Sequence, residues 1–263
     1  MDVVVVTGTG GMGSACARRL GAGCTVVLGD IDSECLARTA DDLKRDGYRV
    51  VPQRLDVSDF ASVSSFAGLA ASQGHLRWLV HTAGVSPAMA PADRIYAVDL
   101  FGTALLLDAF LSLAKEGTVA VVIASMAGYA VSLPAETERL LAESSTARLI
   151  EVAESIERND RSVAYRIAKR ANQLRVQHAA AAWGKFGARL VSVSPGIIAT
   201  PMSALELENT RVADAIHQAA LPRLGTSAEI ASAVEWLVSP AASFITGVDL
   251  LVDGGATASR KWH

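Results

Sequence analysis

The sequence predicts an α/β fold, a doubly wound parallel sheet with helices on both faces. Three observations carry that prediction. The chain opens on an apolar run, DVVVV at 2–6, that passes directly into a glycine-rich turn and then a helix-forming stretch. Strand-like and helix-like segments alternate after it without a linker, which implies right-handed crossovers between parallel strands. Charged residues are 19% of the chain against 51% hydrophobic, the balance expected of a sheet covered on both faces. At 263 residues one domain over 1–263 accommodates the alternation.

Taken in order, Asp2 to Val6 reads as a short buried strand, and Thr7-Gly8-Thr9-Gly10-Gly11-Met12-Gly13 follows at once. Gly8, Gly10 and Gly13 satisfy the GxGxxG spacing and Ser14 to Leu20 continues as helix. Glycines there permit a tight turn and let backbone N–H groups at a helix N-terminus approach a pyrophosphate. The second strand, Cys24 to Gly29, ends at Asp30, near the roughly 20 residues beyond the turn at which an acid meets ribose hydroxyls. Asp30 would accept from both adenosine ribose hydroxyls and repel a 2′-phosphate, so the expected cofactor is NAD. Helix N-capping is the competing use of Asp30, and Asp32 is better placed for that.

A polar helix is expected over about 32–46, a strand over Arg49–Arg54 and a helix over about 58–72. Leu76–His81 is the fourth strand, Pro91–Ala114 a long helix and Thr118–Ala124 the fifth strand. A helix carrying Tyr165 extends to Trp183, followed by strand Arg189–Val193, a helix near Ser227–Val238 and a last strand Val248–Val252. Ligands in this architecture bind beyond the carboxyl ends of the strands, where Gly8, Asp30, Gly84, Ser125 and Pro195 fall.

Composition narrows the function. A net charge of −3 without a basic cluster argues against nucleic acid and against an anionic membrane as partners. Met1-Asp2 leads straight into valines, with no secretory signal pattern. The longest uncharged stretch, 117–135, is interrupted by Ser125, Gly128, Ser132 and Pro134, so it reads as a buried strand and loop rather than a membrane span. Cys16, Cys24 and Cys35 show no metal-type pairing and the five histidines are scattered. A reduced cytoplasmic setting with no structural metal is expected.

The chemistry-bearing pair is Tyr165 and Lys169. Four residues apart on one helix, they share a face, so the ammonium can stand beside the phenol and favour its phenolate. An unperturbed tyrosine titrates at about 10, and such a neighbour turns it into a proton-transfer group nearer neutrality.

With these residues in place, the chain resembles the short-chain dehydrogenases/reductases over essentially its whole length. The matching pieces are TGTGGMG, the strand-end Asp30, LDV at 55–57, TAG at 82–84, ASMAG at 124–128, YRIAK at 165–169, SPGIIAT at 194–200 and TGVDLLVDGG near the end. The resemblance implies a Rossmann fold and an NAD-dependent enzyme acting on CH–OH groups. It also implies roles: Ser125 holds the substrate oxygen, Tyr165 exchanges the hydroxyl proton, and Lys169 additionally binds nicotinamide-ribose hydroxyls. Asp56 and Val57 match an adenine-contacting pair, Ala83 and Gly84 lie against the cofactor ribose, and Pro195, Gly196, Ile198 and Thr200 match the segment holding the carboxamide end. Gly8, Gly10, Gly11, Met12 and Gly13 form the phosphate turn. Plainer uses exist: Ser125 as a strand-end turn residue, Asp56 and Thr200 as helix N-caps.

Three departures from the family pattern stand out. The glycine turn is one residue shorter than TGxxxGxG, leaving the separate roles of Gly10 and Gly11 open. Asp99 stands where many members carry a catalytic asparagine, either holding a relay water or serving as a buried, hydrogen-bonded helix residue; His81, at another frequent asparagine position, reads as a satisfied core histidine. The segment from Ser125 to Tyr165 is long, and about 132–160 reads as a helical insertion broken at Ser144-Ser145, with seven acids and three bases between Glu136 and Asp160. With AAWGKFGARL at 181–190, it resembles the bacterial 3α-hydroxysteroid dehydrogenase/carbonyl reductase branch. Its apolar positions, Leu140, Leu141, Leu149 and Ile150, need a partner, whereas Glu138, Glu143, Glu151 and Glu154 can stay in water. A solvated amphipathic decoration, a lid over the substrate and a cover at a subunit edge are the uses open to it.

The expected activity is interconversion of a secondary alcohol and a ketone. Apolar flanks at Val85, Pro87, Met89, Met126, Tyr129, Met202 and Leu205 favour a neutral hydrophobic substrate, with a steroid or alicyclic compound implied by the branch resemblance. The resemblance implies a homo-oligomer, dimer or tetramer, because in the family the long helix and the Tyr165 helix commonly pair with their copies in another subunit, and both have apolar faces here. The alternative class is a silent dinucleotide-binding sensor or partner subunit, which an absence of alcohol oxidation by the purified chain would reveal.

Overall fold

Val3, Val4, Val5 and Val6 are all fully buried because the strand they form has a helical layer on each side. Val3 and Val5 pack with Phe66, Leu79, Leu106, Phe110 and Leu190 on one face. Val4 and Val6 pack with Leu28, Val80, Val121, Ile230 and Val234 on the other. Side chains alternate across a strand, so one run of four valines seeds two cores. Burying each large aliphatic side chain contributes about 1.5–3 kcal/mol.

The structure, a computed structural model, describes residues 1–204 and 210–262. Its main sheet is built from β1 (Asp2–Thr7), β2 (Thr25–Asp30), β3 (Arg49–Arg54), β4 (His75–His81), β5 (Val119–Ile123), β6 (Arg189–Pro195) and, after the short pair β7 (Ile198–Ala199) and β8 (Gly225–Thr226), β9 (Asp249–Val252). The order is β3-β2-β1-β4-β5-β6-β9, every neighbouring pair parallel, so this is the doubly wound α/β arrangement read from the alternation. Strand order reverses direction between β1 and β4, and the crevice for a ligand opens at their carboxyl ends.

Helices α1 (Gly11–Leu20), α2 (Ser33–Arg45) and α3 (Phe60–Gln73) follow the first three strands. Asp32 caps α2, accepting from the Glu34 and Cys35 amides, as its position before the helix suggests. Asp59, not Asp56, caps α3 through the Ser62 amide, which corrects the capping use considered for Asp56.

The long helix expected over 91–114 is not uniform. It runs as α4 (Ala92–Ile95), a π-helical stretch Tyr96–Gly102, and α5 (Thr103–Leu111). Wider π winding diverts carbonyls from the helix ladder. The carbonyl of Asp99 accepts instead from Thr103 Oγ1 at 2.8 Å and from Asn172 Nδ2 at 2.8 Å.

The insertion forms α6 (Ala135–Glu143) and α7 (Leu149–Ile156), separated by extended backbone at Ser144 and Ser145 and a turn of 3-10 helix. The expected break therefore falls where it was read. Leu141, Leu149 and Ala153 are fully buried against Ile95, Tyr96, Leu100, Ala164 and Ile167. Leu140, expected to need a partner, is instead 42% exposed. Arg175 of α8 (Arg161–Gly184) donates to the carbonyls of Leu141, Ala142 and Ser144, closing the end of α6. Glu138 does not stay in water as expected: its carboxylate pairs with Arg170 at 2.7 Å.

Beyond β6 come α9 (Pro201–Ala204), α10 (Thr210–His217), α11 (Ser227–Val238) and α12 (Ala256–Trp262). Among the described residues no helix is long and apolar enough to cross a membrane.

Candidate active site

The glycine turn is dictated by contact rather than by flexibility. Gly8 has φ +80°, and a Cβ there would sit 2.6 Å from the Ala83 amide nitrogen; a Cβ on Gly13 would sit 1.7 Å from the Gly8 carbonyl oxygen. These two glycines let β1, α1 and the loop after β4 close on one another. Gly11 packs against Thr200 and Ser227, each 3.0 Å from where its Cβ would be, whereas a Cβ on Gly10 would meet nothing within 4 Å. That separates the roles left open by the short turn: Gly11 serves packing, and Gly10 faces the open space at the start of α1. The unpaired amides of that first helical turn suit a pyrophosphate, so the residues present fit a dinucleotide.

Asp30 closes the same turn. Its Oδ2 accepts from the Thr9 amide at 2.5 Å and from Thr9 Oγ1 at 2.9 Å, and its Oδ1 accepts from the Asp32 amide at 2.9 Å. Asp56 lies at the next strand end, accepting from the Ser58 amide and hydroxyl and standing 3.6 Å from Arg94. Burial raises the Asp56 pKa, but the Ser58 hydrogen bonds and the Arg94 charge outweigh it and hold the carboxyl below its ordinary range. Val57 is buried against Gly102.

Behind the expected catalytic face lies a closed polar cluster. Lys169 Nζ is 5.4 Å from the centre of the Tyr165 ring and 3.6 Å from Asp99 Oδ2, with the Asp99 side chain wholly buried. Asp99 Oδ1 accepts from the Val85 amide at 2.8 Å. Burial raises the Asp99 pKa, opposed by the Lys169 charge and the Val85 bond. Burial lowers that of Lys169, yet the charges of Asp99 and Tyr165 more than offset it and leave it raised. Lys169 is thus held as an ammonium. A Cβ on Gly84 would approach both partners, 3.0 Å from Asp99 Oδ1 and 3.3 Å from Lys169 Nζ, so glycine leaves room for the pair.

His81 is satisfied as a core residue. Thr103 Oγ1 spends its proton on the Asp99 carbonyl, so it accepts from His81 Nε2 at 3.0 Å, and His81 Nδ1 in turn accepts from Thr7 Oγ1 at 2.6 Å. Burial first, and the Lys169 charge second, push the imidazole pKa down to about 3.

Ser125 and Tyr165 line one cleft of about 920 Å³, together with Met12, Pro195, Gly196, Ile198 and Thr200. Ser125 Oγ accepts from the Ala127 amide at 3.1 Å, so the turn role and the cleft position coexist. Thr200 does cap: its Oγ1 accepts from the Ser203 amide at 3.2 Å. Pro87, Met126 and Met202 line the cleft as expected, while Leu205 lies outside the described residues. Among the described residues none of 132–160 lines the cleft, so α6 and α7 do not cover it in this structure.

Sequence reasoning missed several participants. Gln173 Nε2 donates to the Ser125 carbonyl at 3.2 Å and to Ser194 Oγ at 2.9 Å, tying the Ser125 turn to α8. Asn172 braces Asp99. Both sit within four residues of Lys169, a spacing that signals a shared region of helix but not a partner 73 positions away. Arg161, one turn before Tyr165, and Arg166 line the cleft as well.

The chain is similar to known proteins in both sequence and fold. The model of the short chain dehydrogenase family matches residues 2–138, and that of the enoyl-(acyl carrier protein) reductase family matches residues 135–257. The chain is 38% identical over 263 residues to short-chain dehydrogenase/reductase bsc3 of Alternaria brassicicola, covering 98% of this chain and 96% of that one. It is 30% identical to the 3-alpha-hydroxysteroid dehydrogenase/carbonyl reductase of Comamonas testosteroni, covering 91% and 96%. A solved short-chain dehydrogenase/reductase from Brucella melitensis superimposes with a TM-score of 0.79 at 30% identity, covering 97% and 96%.

Proposed function

The chain belongs to the short-chain dehydrogenase/reductase family, and on that premise we propose that it interconverts a secondary alcohol and a ketone with NAD, Tyr165 moving the proton. As a member of that family it is an oxidoreductase of alcohols or ketones using a nicotinamide dinucleotide. The observation that carries the finer one is the placement of Tyr165 and Ser125 on one cleft wall with the Lys169 ammonium behind the tyrosine ring, itself pinned by buried Asp99.

In this reading Ser125 donates to the substrate oxygen and Tyr165 accepts its proton as the carbinol is oxidised, the phenolate being favoured by Lys169. The bound nicotinamide supplies the hydride acceptor. Asp99 positions Lys169 rather than touching substrate. Gly10, in the turn that Gly8 and Gly13 keep closed, would border the pyrophosphate, Asp56 and Val57 the adenine, Ala83 and Gly84 the ribose, and Pro195, Gly196, Ile198 and Thr200 the carboxamide. Asp30 supports NAD, because no Arg or Lys lies in Thr7–Gly13 or at Ile31 to receive a 2′-phosphate. A ribose that shares the carboxylate with Thr9 is the arrangement this implies. The mannitol dehydrogenase of Hypocrea jecorina, 29% identical, is NADP-dependent, so cofactor choice within such relatives is decided locally.

The apolar lining at Pro87, Met126 and Met202 supports a hydrophobic substrate, and the likeness to the 3-alpha-hydroxysteroid dehydrogenase/carbonyl reductase supports an alicyclic one. A homo-oligomer remains the proposed assembly, but the insertion already covers the faces of Ile95–Leu100 and Ala164–Ala171. A second subunit there meets the outside of α6 and α7 instead.

Screening alcohols and ketones at the reduced-nicotinamide absorbance band, with NAD and NADP in parallel, tests the reading. Tyr165→Phe is expected to remove at least about 99% of turnover, roughly 3 kcal/mol of barrier, with NAD binding retained. Residual activity above a few per cent, or a chain that binds NAD yet oxidises no alcohol, overturns it.

A further inference from the structure

Three arginines line the cleft that holds Ser125 and Tyr165: Arg161 and Arg166 from α8, and Arg260 from α12. Among the described residues Asp214 of α10 is the one acid lining it. Arg18, Arg19, Arg139, Arg170 and Arg223 are each paired with a carboxylate elsewhere in the molecule. Among the described residues no such pair engages the three cleft arginines. Arg38, Arg49, Arg54 and Arg148 also lack an ion pair among the described residues, but the cleft brings three such cations onto one surface of a protein of net charge −3.

None of the three belongs to the phosphate turn at Gly8–Gly13, whose Met12 lines the same cleft. Arg161 lies four residues before Tyr165, on the same face of α8 and about 6 Å along its axis. The lining also carries apolar side chains, Met126, Ala130, Met202 and Val212, beside the polar Ser162, Ser203 and Gln218. One cleft thus joins the hydroxyl-handling pair, apolar surface and three guanidinium groups.

We infer that the substrate is an anion, a cyclic or otherwise hydrophobic secondary alcohol or ketone whose distal carboxylate is received by Arg161, with Arg166 and Arg260 around it. The inference rests on the proposed oxidoreductase reading of the same cleft and replaces the neutral substrate expected from sequence. A planar guanidinium meets a carboxylate with two parallel hydrogen bonds, and neighbouring cations draw the anion into the cleft.

The test compares each alcohol as free acid and as carboxamide, using 4-hydroxycyclohexanecarboxylate and 4-(4-hydroxycyclohexyl)butanoate. The acid is expected to exceed its amide in kcat/KM by about tenfold or more at low ionic strength, the ratio shrinking with salt. In the Arg161→Gln/Arg260→Gln variant the ratio should fall to within about threefold, whereas Arg139→Gln on the insertion should leave it unchanged. Amides as good as acids, or a ratio that survives the double substitution, overturns the inference. If neither scaffold is oxidised with NAD or NADP, calorimetric titration of the two acids into the NADH-saturated protein still decides it. Binding that the double variant loses supports the carboxylate site, and binding absent or equal in both proteins overturns it. Failure of oxidation across the whole alcohol panel is the separate failure of the functional reading.

Discussion

In the turn at Thr7–Gly13 the backbone itself is the packing surface, whereas in the insertion at 135–156 side chains hold the backbone against its neighbours. At Gly13 there is no room for a methyl group beside the Gly8 carbonyl. In the insertion Leu141, Leu149 and Ala153 fill a cluster with residues of the π-helical stretch and α8. A backbone contact is specified by the absence of a side chain, so one substitution abolishes it. A side-chain cluster is specified by volume and degrades by degrees. The first region is the proposed pyrophosphate contact and the second lines no part of the cleft among the described residues, so damage to them should read out differently.

The sharpest way to break that contrast is Gly13→Ala. With no relaxation available between two backbones, it should cost on the order of 4 kcal/mol or more in urea unfolding and eliminate NAD binding. A variant of near wild-type stability would mean the turn can shift. Leu149→Ala should cost about 2–5 kcal/mol through the cavity it leaves, with the NAD dissociation constant unchanged in the folded protein. A weakened NAD affinity there would show the two regions to be coupled.

A third test addresses the buried Thr7–His81–Thr103 chain of hydrogen bonds, which ties the start of the turn to α5. The folded pKa of His81, about 3, lies below the ordinary value of 6.5, so the unfolded chain binds the extra proton first. Stability from this group is complete above about pH 6.5 and is lost progressively as pH falls toward 3. Wild type should lose roughly 2–3 kcal/mol between pH 6.5 and 4.5 from this source, measured by urea titration at each pH. His81→Asn should flatten that slope, and an equally steep variant would assign the acid sensitivity elsewhere. The mildest expected effect is Gly10→Ala. Its added methyl meets nothing in the protein, so stability should change by less than about 1 kcal/mol, while NAD affinity drops about tenfold if phosphate occupies that space. Unaltered affinity would move the phosphate off Gly10.

The same contrast explains what could be read from the sequence. The glycine spacing, the strand-end Asp30, the Asp32 cap, the shared face of Tyr165 and Lys169 and the break at Ser144-Ser145 obey rules that act within a few residues. The π winding at 96–102 does not: its diverted carbonyl is satisfied by Asn172, far along the chain. Nor does the Glu138–Arg170 pair, whose acid counted as solvated until α6 lay against α8. The grouping of Arg161 and Arg166 with Arg260 escaped for the same reason. Two of them flank Tyr165 in plain view, but their common purpose depends on where α12 brings the third.

The central position of β1 has a consequence for how the chain is made. Of the strands in this sheet β1 leaves the ribosome first, and it is paired on both sides in the finished sheet, with β2 on one flank and β4 on the other. Its partner β2 follows within a couple of dozen residues and β3 soon after, so one wing of the sheet can assemble early. The other wing waits for β4, β5 and β6, and the last edge waits for residue 249. Until β4 arrives, β1 exposes an apolar valine edge, and crowded nascent chains at this stage are exposed to mispairing with one another. Slow translation between β3 and β4 should therefore lower the soluble yield more than an equal pause after β6.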